Sequence, residues 1–115
     1  MKQALAVNVL DKCVVPCPNR NLEVVITPLG RGILPRNRVQ KGDLVVYIPN
    51  GARLSYSVLR HLGFDVISDV VGNDDIVRLR NVYGSFVDGV VSDYPCESMS
   101  VGEDCQQMLG LQWVS

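Results

Sequence analysis

Lys41-Gly42-Asp43-Leu44-Val45-Val46-Tyr47-Ile48-Pro49-Asn50-Gly51 is the best strand signal in the chain. Leu44 to Ile48 is an apolar run rich in β-branched and aromatic residues, the types that suit a pleated, packed surface. Lys41-Gly42-Asp43 ahead of it and Pro49-Asn50-Gly51 behind it are built from turn residues. A buried strand punctuated at both ends is therefore predicted.

The same signals recur outward from this strand. Upstream, Leu5, Val7 and Val9 repeat at period two, and Cys13-Val14-Val15 extends the run past a bulge predicted near Asp11-Lys12. Pro16 to Asn21 forbids regular pairing, then Leu22, Val24 and Ile26 alternate again before a turn at Pro28-Leu29-Gly30. Gly32-Ile33-Leu34 leads into a basic connection. Downstream, Leu54 to Gly63 has a helical pattern. Ser55 is its predicted N-cap, Val58, Leu59 and Leu62 share a face, and Gly63 is an αL stop. Ile76 to Leu79 reads as a strand with Val77 and Leu79 inward, which sets Arg78 and Arg80 outward together. Phe86 to Val91 reads as one further strand, and Val101 to Leu109 as a short helix ending at Gly110.

Five or six short strands with one inserted helix predict a mainly all-β fold. A parallel α/β sheet would need several crossover helices. The order of elements suits a five-stranded OB-fold barrel over residues 1–100, with a short helical segment over 101–115. At 115 residues, with 47% hydrophobic and 20% charged content, one ordered core is expected. No apolar run nears the roughly 18 residues of a membrane span. Met1 to Leu10 has no signal-peptide layout, so a cytoplasmic protein is expected.

The formal net charge of −1 conceals an asymmetry. Nine basic and three acidic residues lie in Met1–Arg60, against two and nine in His61–Ser115. Such a polarity can present a basic face to a polyanion. Cys13, Cys17, Cys96 and Cys105 form no pair of tight zinc-ligand spacings, and His61 is the lone histidine. Four buried or half-buried free thiols and no metal are expected. His61, inside the predicted helix, is read as a surface or packing residue.

Lys41 to Ala52 closely resembles the "GDLVVYIPEGA" signature in the N-terminal OB domain of Deinococcus- and Naegleria-type ATP-dependent RNA ligases. Asn21-Leu22-Glu23 is similar to the family's turn into its second strand, and Leu54 to Gly63 to its post-signature helix. Val77 to Val82 resembles its "IKLRGV" strand. Gly102 to Leu111 resembles the "GEDVTELLGI" segment that leads toward the catalytic domain. Two positions depart. Asn81 stands where the family has glycine, and Tyr83 to Gly89 replaces its compact "SQG" turn. The nucleotidyltransferase motif KxDG is absent, since Lys41-Gly42-Asp43-Leu44 does not match it.

The resemblance implies an RNA-binding module that holds the 3′-OH side of a nick for a separate nucleotidyltransferase core. It implies no catalytic residue in this chain, because covalent AMP needs the missing lysine. ATP and magnesium would belong to the core, in cis or in trans. For nicked or single-stranded RNA the chain must supply cations for phosphates and aromatics for stacking. The candidates are Arg78 and Arg80 for the backbone, Tyr83 and Phe86 for stacking, and Arg31, Arg36, Arg38 and Lys41 as a basic funnel. A solvated strand face, core packing of Phe86 and a soluble loop are the plain counterparts. Two other classes stay open at this point. One is a protein-docking module, favoured by Asp65, Asp69, Asp74, Asp75 and Asp88. The other is a tRNA-binding OB domain of the synthetase-appended type.

Overall fold

Strand β5 (Leu44–Pro49) occupies the centre of a three-stranded antiparallel sheet in a computed structural model of the protein. The structure describes residues 3–16, 21–63, 71, 74–82, 84–93 and 100–113, with the backbone alone at 80 and 82. β1 (Leu5–Asn8) pairs on one side of β5, with Leu5 opposite Tyr47. β9 (Gly89–Ser92) pairs on the other, with Val91 opposite Tyr47. Val45, Val46, Tyr47 and Ile48 are all buried. A sheet with one wet face would alternate, so both faces of β5 are covered.

A second antiparallel sheet consists of β2 (Asp11–Val14), β3 (Leu22–Ile26) and β4 (Arg31–Pro35). The predicted single bulged strand at the N-terminus is two strands, and the backbone shows why. Val9 N donates to Asp43 O (2.9 Å), beside β5, whereas Leu10 N donates to Ile26 O (2.8 Å) on β3. Adjacent amides serve different sheets, so the chain hands over between them at Val9-Leu10 and not at Asp11-Lys12. The turn between β3 and β4 closes through Thr27, whose Oγ1 accepts from Leu29 N (3.2 Å) and Gly30 N (3.1 Å).

The two sheets abut where β4 lies beside β9. Asp88 N donates to Arg31 O at 3.3 Å. A Cβ on Gly32 would sit 2.5 Å from Val91 N. The contacts advance in the same direction along both segments, so β4 and β9 run parallel. No continuous ladder joins them among the described residues, so the architecture is two abutting sheets and not a fully hydrogen-bonded ring. The mainly β class matches the expectation.

Helix α1 (Tyr56–Leu62) starts at Ser55, whose Oγ accepts from Val58 N, and buries Val58, Leu59 and Leu62 as its spacing predicted. Gly63 ends it at φ 92°, ψ 132°. The φ is one that glycine tolerates best, but the ψ lies outside the αL region predicted for the stop. The predicted helix at Val101 begins only at α2 (Gln106–Leu109). Ahead of it the chain is bonded along the outer edge of β1. Gly102 N donates to Ala6 O (2.7 Å), Ala6 N to Glu103 O (2.9 Å) and Cys105 N to Ala4 O (2.7 Å). Cys105, Leu109 and Leu111 join the same core, and β10 (Gln112–Trp113) pairs with β6 (Ala52–Arg53).

The region 76–87 differs most from the prediction. Ile76 and Val77 make isolated bridges, to Arg53 and Val71, and both are buried. Leu79, predicted inward, is exposed at 54%. No ladder imposes alternation here, so the in-and-out argument for residues 76–79 fails. Regular pairing starts at β7 (Arg80–Val82), which forms a hairpin with β8 (Ser85–Val87). The predicted strand from Phe86 to Val91 is broken at Asp88 into β8 and β9. Among the described residues no helix is long and apolar enough to cross a membrane.

Candidate nucleic-acid interface

Asp88 breaks the strand because its carboxylate is occupied. Its Oδ1 accepts from Tyr47 Oη (2.8 Å) and from Arg31 N (2.8 Å). Its own N–H returns a bond to Arg31 O. One carboxylate thus ties together the middle of β5, the first residue of β4 and the β8–β9 junction. Packing at this clasp is tight. A Cβ on Gly30 would lie 2.4 Å from Tyr47 Oη, and one on Gly89 would lie 2.6 Å from Tyr47 Cζ. Burial, and then the bond to and negative charge of Asp88, hold the Tyr47 phenol protonated well above the ordinary tyrosine range.

The clasp sets two sequence candidates on neighbouring segments. Arg31 is exposed and pairs with none of the described carboxylates. Phe86, two residues before Asp88, is 49% exposed, so the core-packing reading of this ring is overturned. Its neighbour Val87 is fully buried, and alternation along β8 aims the two in opposite directions. Leu29, in the adjoining turn, is also exposed. An open ring two residues from the clasp, and a guanidinium that pairs with none of the described carboxylates, are the groups that stacking and phosphate contact require.

The remaining candidates separate. Arg78 is exposed but forms an i,i+4 ion pair with Asp74. Arg80 opens β7 opposite Val87 on backbone pairing alone, so the predicted shared face for Arg78 and Arg80 has no support from a continuous strand. Tyr83 lies outside the described residues. Arg36 and Lys41 are exposed on the β4–β5 connection, with no ion pair to a described carboxylate. Arg38, between them in sequence, turns away. Its Nε and Nη2 grip Asp93 (3.0 and 2.6 Å), Nη1 donates to His61 O (3.3 Å) and Nη2 lies 2.7 Å from His61 Nε2. The basic run is therefore not one patch.

Sequence reasoning missed the Asp88 clasp and the Arg38–His61–Asp93 cluster. Asp88 counted only as one of many acidic residues, and Asp93 was not singled out. The signal available for Asp88 was its place between Val87 and Gly89, a polar residue interrupting an apolar strand. Lys12 and Glu23 form a further structural pair (3.3 Å), and Glu23 also accepts from Asn37 N (3.1 Å). Cys13 is free and exposed, against the expectation of burial, whereas Cys105 is buried. Cys17 and Cys96 lie outside the described residues. Among the described residues no cluster of three or more metal-ligating side chains occurs.

No family model matches this chain, and no curated protein matches it. Solved structures do. The Naegleria gruberi RNA ligase with PPi matches at a TM-score of 0.75 and 16% identity, over 100% of this chain and 36% of that one. A mutant of that ligase with ATP and Mn matches at 0.75 and 15%, again over 100% and 36%. An apo mutant matches at 0.74 and 15%, over 99% and 35%. This chain spans about a third of the length of those ligase chains. What it shares with that part of them, at such identity, is the fold.

Proposed function

We propose that this chain is an OB-type module that binds RNA and positions the 3′-OH side of a nick for a separate nucleotidyltransferase core. The observation that carries this reading is the match of the whole chain to one part of an RNA ligase. The strand order supports the OB assignment. With β1 and β2 taken as one bent first strand, the sequence of neighbours is β2-β3-β4, then β9-β5-β1, with β4 beside β9. That is the neighbour order of a five-stranded Greek-key barrel whose closing pair is parallel, and OB folds bind oligonucleotides on such a barrel.

In this reading Arg31 meets a phosphate and Phe86 meets a base or ribose. Arg36 and Lys41 add charge along the β4–β5 connection, and Arg80 and Tyr83 remain the sequence candidates for a further backbone contact and a stacking ring. The chain contributes grip and orientation. Lysine adenylylation, ATP and the divalent metal belong to the core, whose KxDG motif this sequence lacks.

Anisotropy of a fluorescent nicked RNA tests the reading across a salt series. Affinity should fall as salt rises, by about 0.7 to 0.9 in log–log slope per phosphate contacted. Absence of RNA binding at low salt, or affinity independent of salt, refutes it. Capture of a partner protein under the same conditions would then favour the docking class.

A further inference from the structure

Phe86 and Arg31 are specific about the kind of RNA they fit. The Phe86 ring is open to solvent on a strand whose next residue is fully buried. Asp88, two residues on, is hydrogen-bonded to Arg31 through both its side chain (2.8 Å) and its main chain (3.3 Å). Two residues of extended chain span at most about 7 Å. The ring and the arginine thus stand within reach of one nucleotide. Arg78 and Arg38 are committed, to Asp74 and to Asp93, whereas Arg36 and Lys41 are exposed farther along the β4–β5 connection.

That inventory suits one RNA form better than the other. Continuous duplex RNA is held by phosphate and 2′-OH contacts spread over about 16 base pairs, and its bases are stacked away from any protein ring. A ring meets a base face to face only where the base has left its stack. Beside the clasp the described residues offer one open ring near one arginine that pairs with none of the described carboxylates, a smaller set than a duplex footprint uses. It matches a single unstacked nucleotide.

We infer that the site takes an unpaired nucleotide, its base on Phe86 and a flanking phosphate on Arg31. The ligand class is then single-stranded RNA, or the frayed end at a nick, and not continuous duplex. This rests on the RNA-binding reading above and narrows it. Stacking reads no base edge, so preference among the four bases is weak.

The test uses the full chain with a short fluorescein-labelled oligoadenylate and a blunt RNA duplex of equal length. The wild type binds the oligoadenylate more tightly. Phe86→Ala weakens oligoadenylate binding by roughly 5- to 150-fold, the range of one lost base–ring stack. Phe86→Tyr keeps a ring and retains the affinity, which separates stacking from a folding defect. Arg31→Ala lowers the salt slope on the oligoadenylate by about 0.7. Equal binding to both RNAs with Phe86→Ala unchanged on each overturns this inference and leaves RNA binding standing. No binding to either RNA overturns the RNA-binding reading itself.

Discussion

Replacing Asp88 by alanine should destabilise the protein far more than its surface position in sequence suggests. The substitution removes the acceptor of two hydrogen bonds, from Tyr47 Oη and Arg31 N, both at 2.8 Å. Tyr47 is buried at 5% exposure, so water cannot replace the lost acceptor. A buried hydroxyl left unsatisfied costs about 1–3 kcal/mol. Arg31 is exposed, and its amide can turn to water, which limits that loss to roughly 0.5–1.5 kcal/mol. The sum is about 1.5–4.5 kcal/mol. At about 4 °C per kcal/mol for a domain of this size, Tm should fall by roughly 6–18 °C. Asp88→Asn keeps an oxygen where both donors point and forfeits only the charge, so its loss should stay near ~1 kcal/mol. Urea unfolding of Tyr47→Phe, Asp88→Ala and the double variant completes the cycle. With the hydroxyl already gone, the alanine should cost only about 0.5–1.5 kcal/mol. If Asp88→Ala costs the same in both backgrounds, within about 0.5 kcal/mol, the clasp contributes no coupling and the reasoning fails.

Four further outcomes follow from the same geometry. Tyr47 is held protonated above its ordinary range, so the folded state keeps a proton that the unfolded chain releases near pH 10; stability should decline as pH rises past that value, and Tyr47→Phe should remove part of the decline in an alkaline melting series. Gly32→Ala drives a Cβ to 2.5 Å from Val91 N and should cost about 3 kcal/mol or more by denaturant titration, whereas Gly42→Ala meets open space and should lose only the roughly 1–2 kcal/mol of its positive φ. Arg38→Ala should lower Tm by several degrees and leave the salt slope of RNA binding unchanged, because its guanidinium is engaged by Asp93 and His61; an altered slope with unaltered Tm would show the opposite assignment. Cys13 should react with a thiol reagent in seconds to minutes, while Cys105, whose thiol is shifted upward by burial and then by Glu103 and Asp104, should react only through opening of the fold, as site-resolved peptide mass spectrometry would show.

Where local chemistry determines structure, the sequence was readable. β5 was evident because its apolar run is bounded by turn residues and is buried on both faces in the structure. α1 was evident because Ser55, the spacing of Val58, Leu59 and Leu62, and Gly63 agree with one another. Legibility failed where a distant segment decides. Residues 102–105 fall within the helix predicted from Val101, yet they bond along the edge of β1, nearly the whole chain away. Ile76 to Leu79 alternates well enough for a strand, but the backbone bonds that Asp75 and Val77 make to Gly51, Ala52 and Leu54 stop at Val77, and Leu79 is left in solvent. Alternation predicts faces only where a ladder exists to enforce them.

The candidate site was legible in residue type and not in grouping. Arg31, Arg36, Arg38 and Lys41 are neighbours in sequence, which suggested one basic funnel. The end of β4 breaks that grouping, because Arg38 finds Asp93 across the fold and leaves Arg36 and Lys41 on the surface. Charge counts cannot reveal which carboxylate answers which arginine, since that depends on where β9 ends relative to the β4–β5 connection. The strand premise behind the Arg78–Arg80 face does not hold, since regular pairing starts only at Arg80, and Arg78 pairs with Asp74 four residues away. What survives is a pairing that no linear pattern displays, Arg31 with Phe86, brought together because Asp88 holds the head of β4 to the β8–β9 junction. The residue that assembles the candidate RNA contact is therefore an aspartate, with a charge opposite to the one a search for polyanion contacts would select. Its carboxylate is spent on Tyr47 and on the Arg31 amide, and the exposed Arg31 guanidinium pairs with none of the described carboxylates.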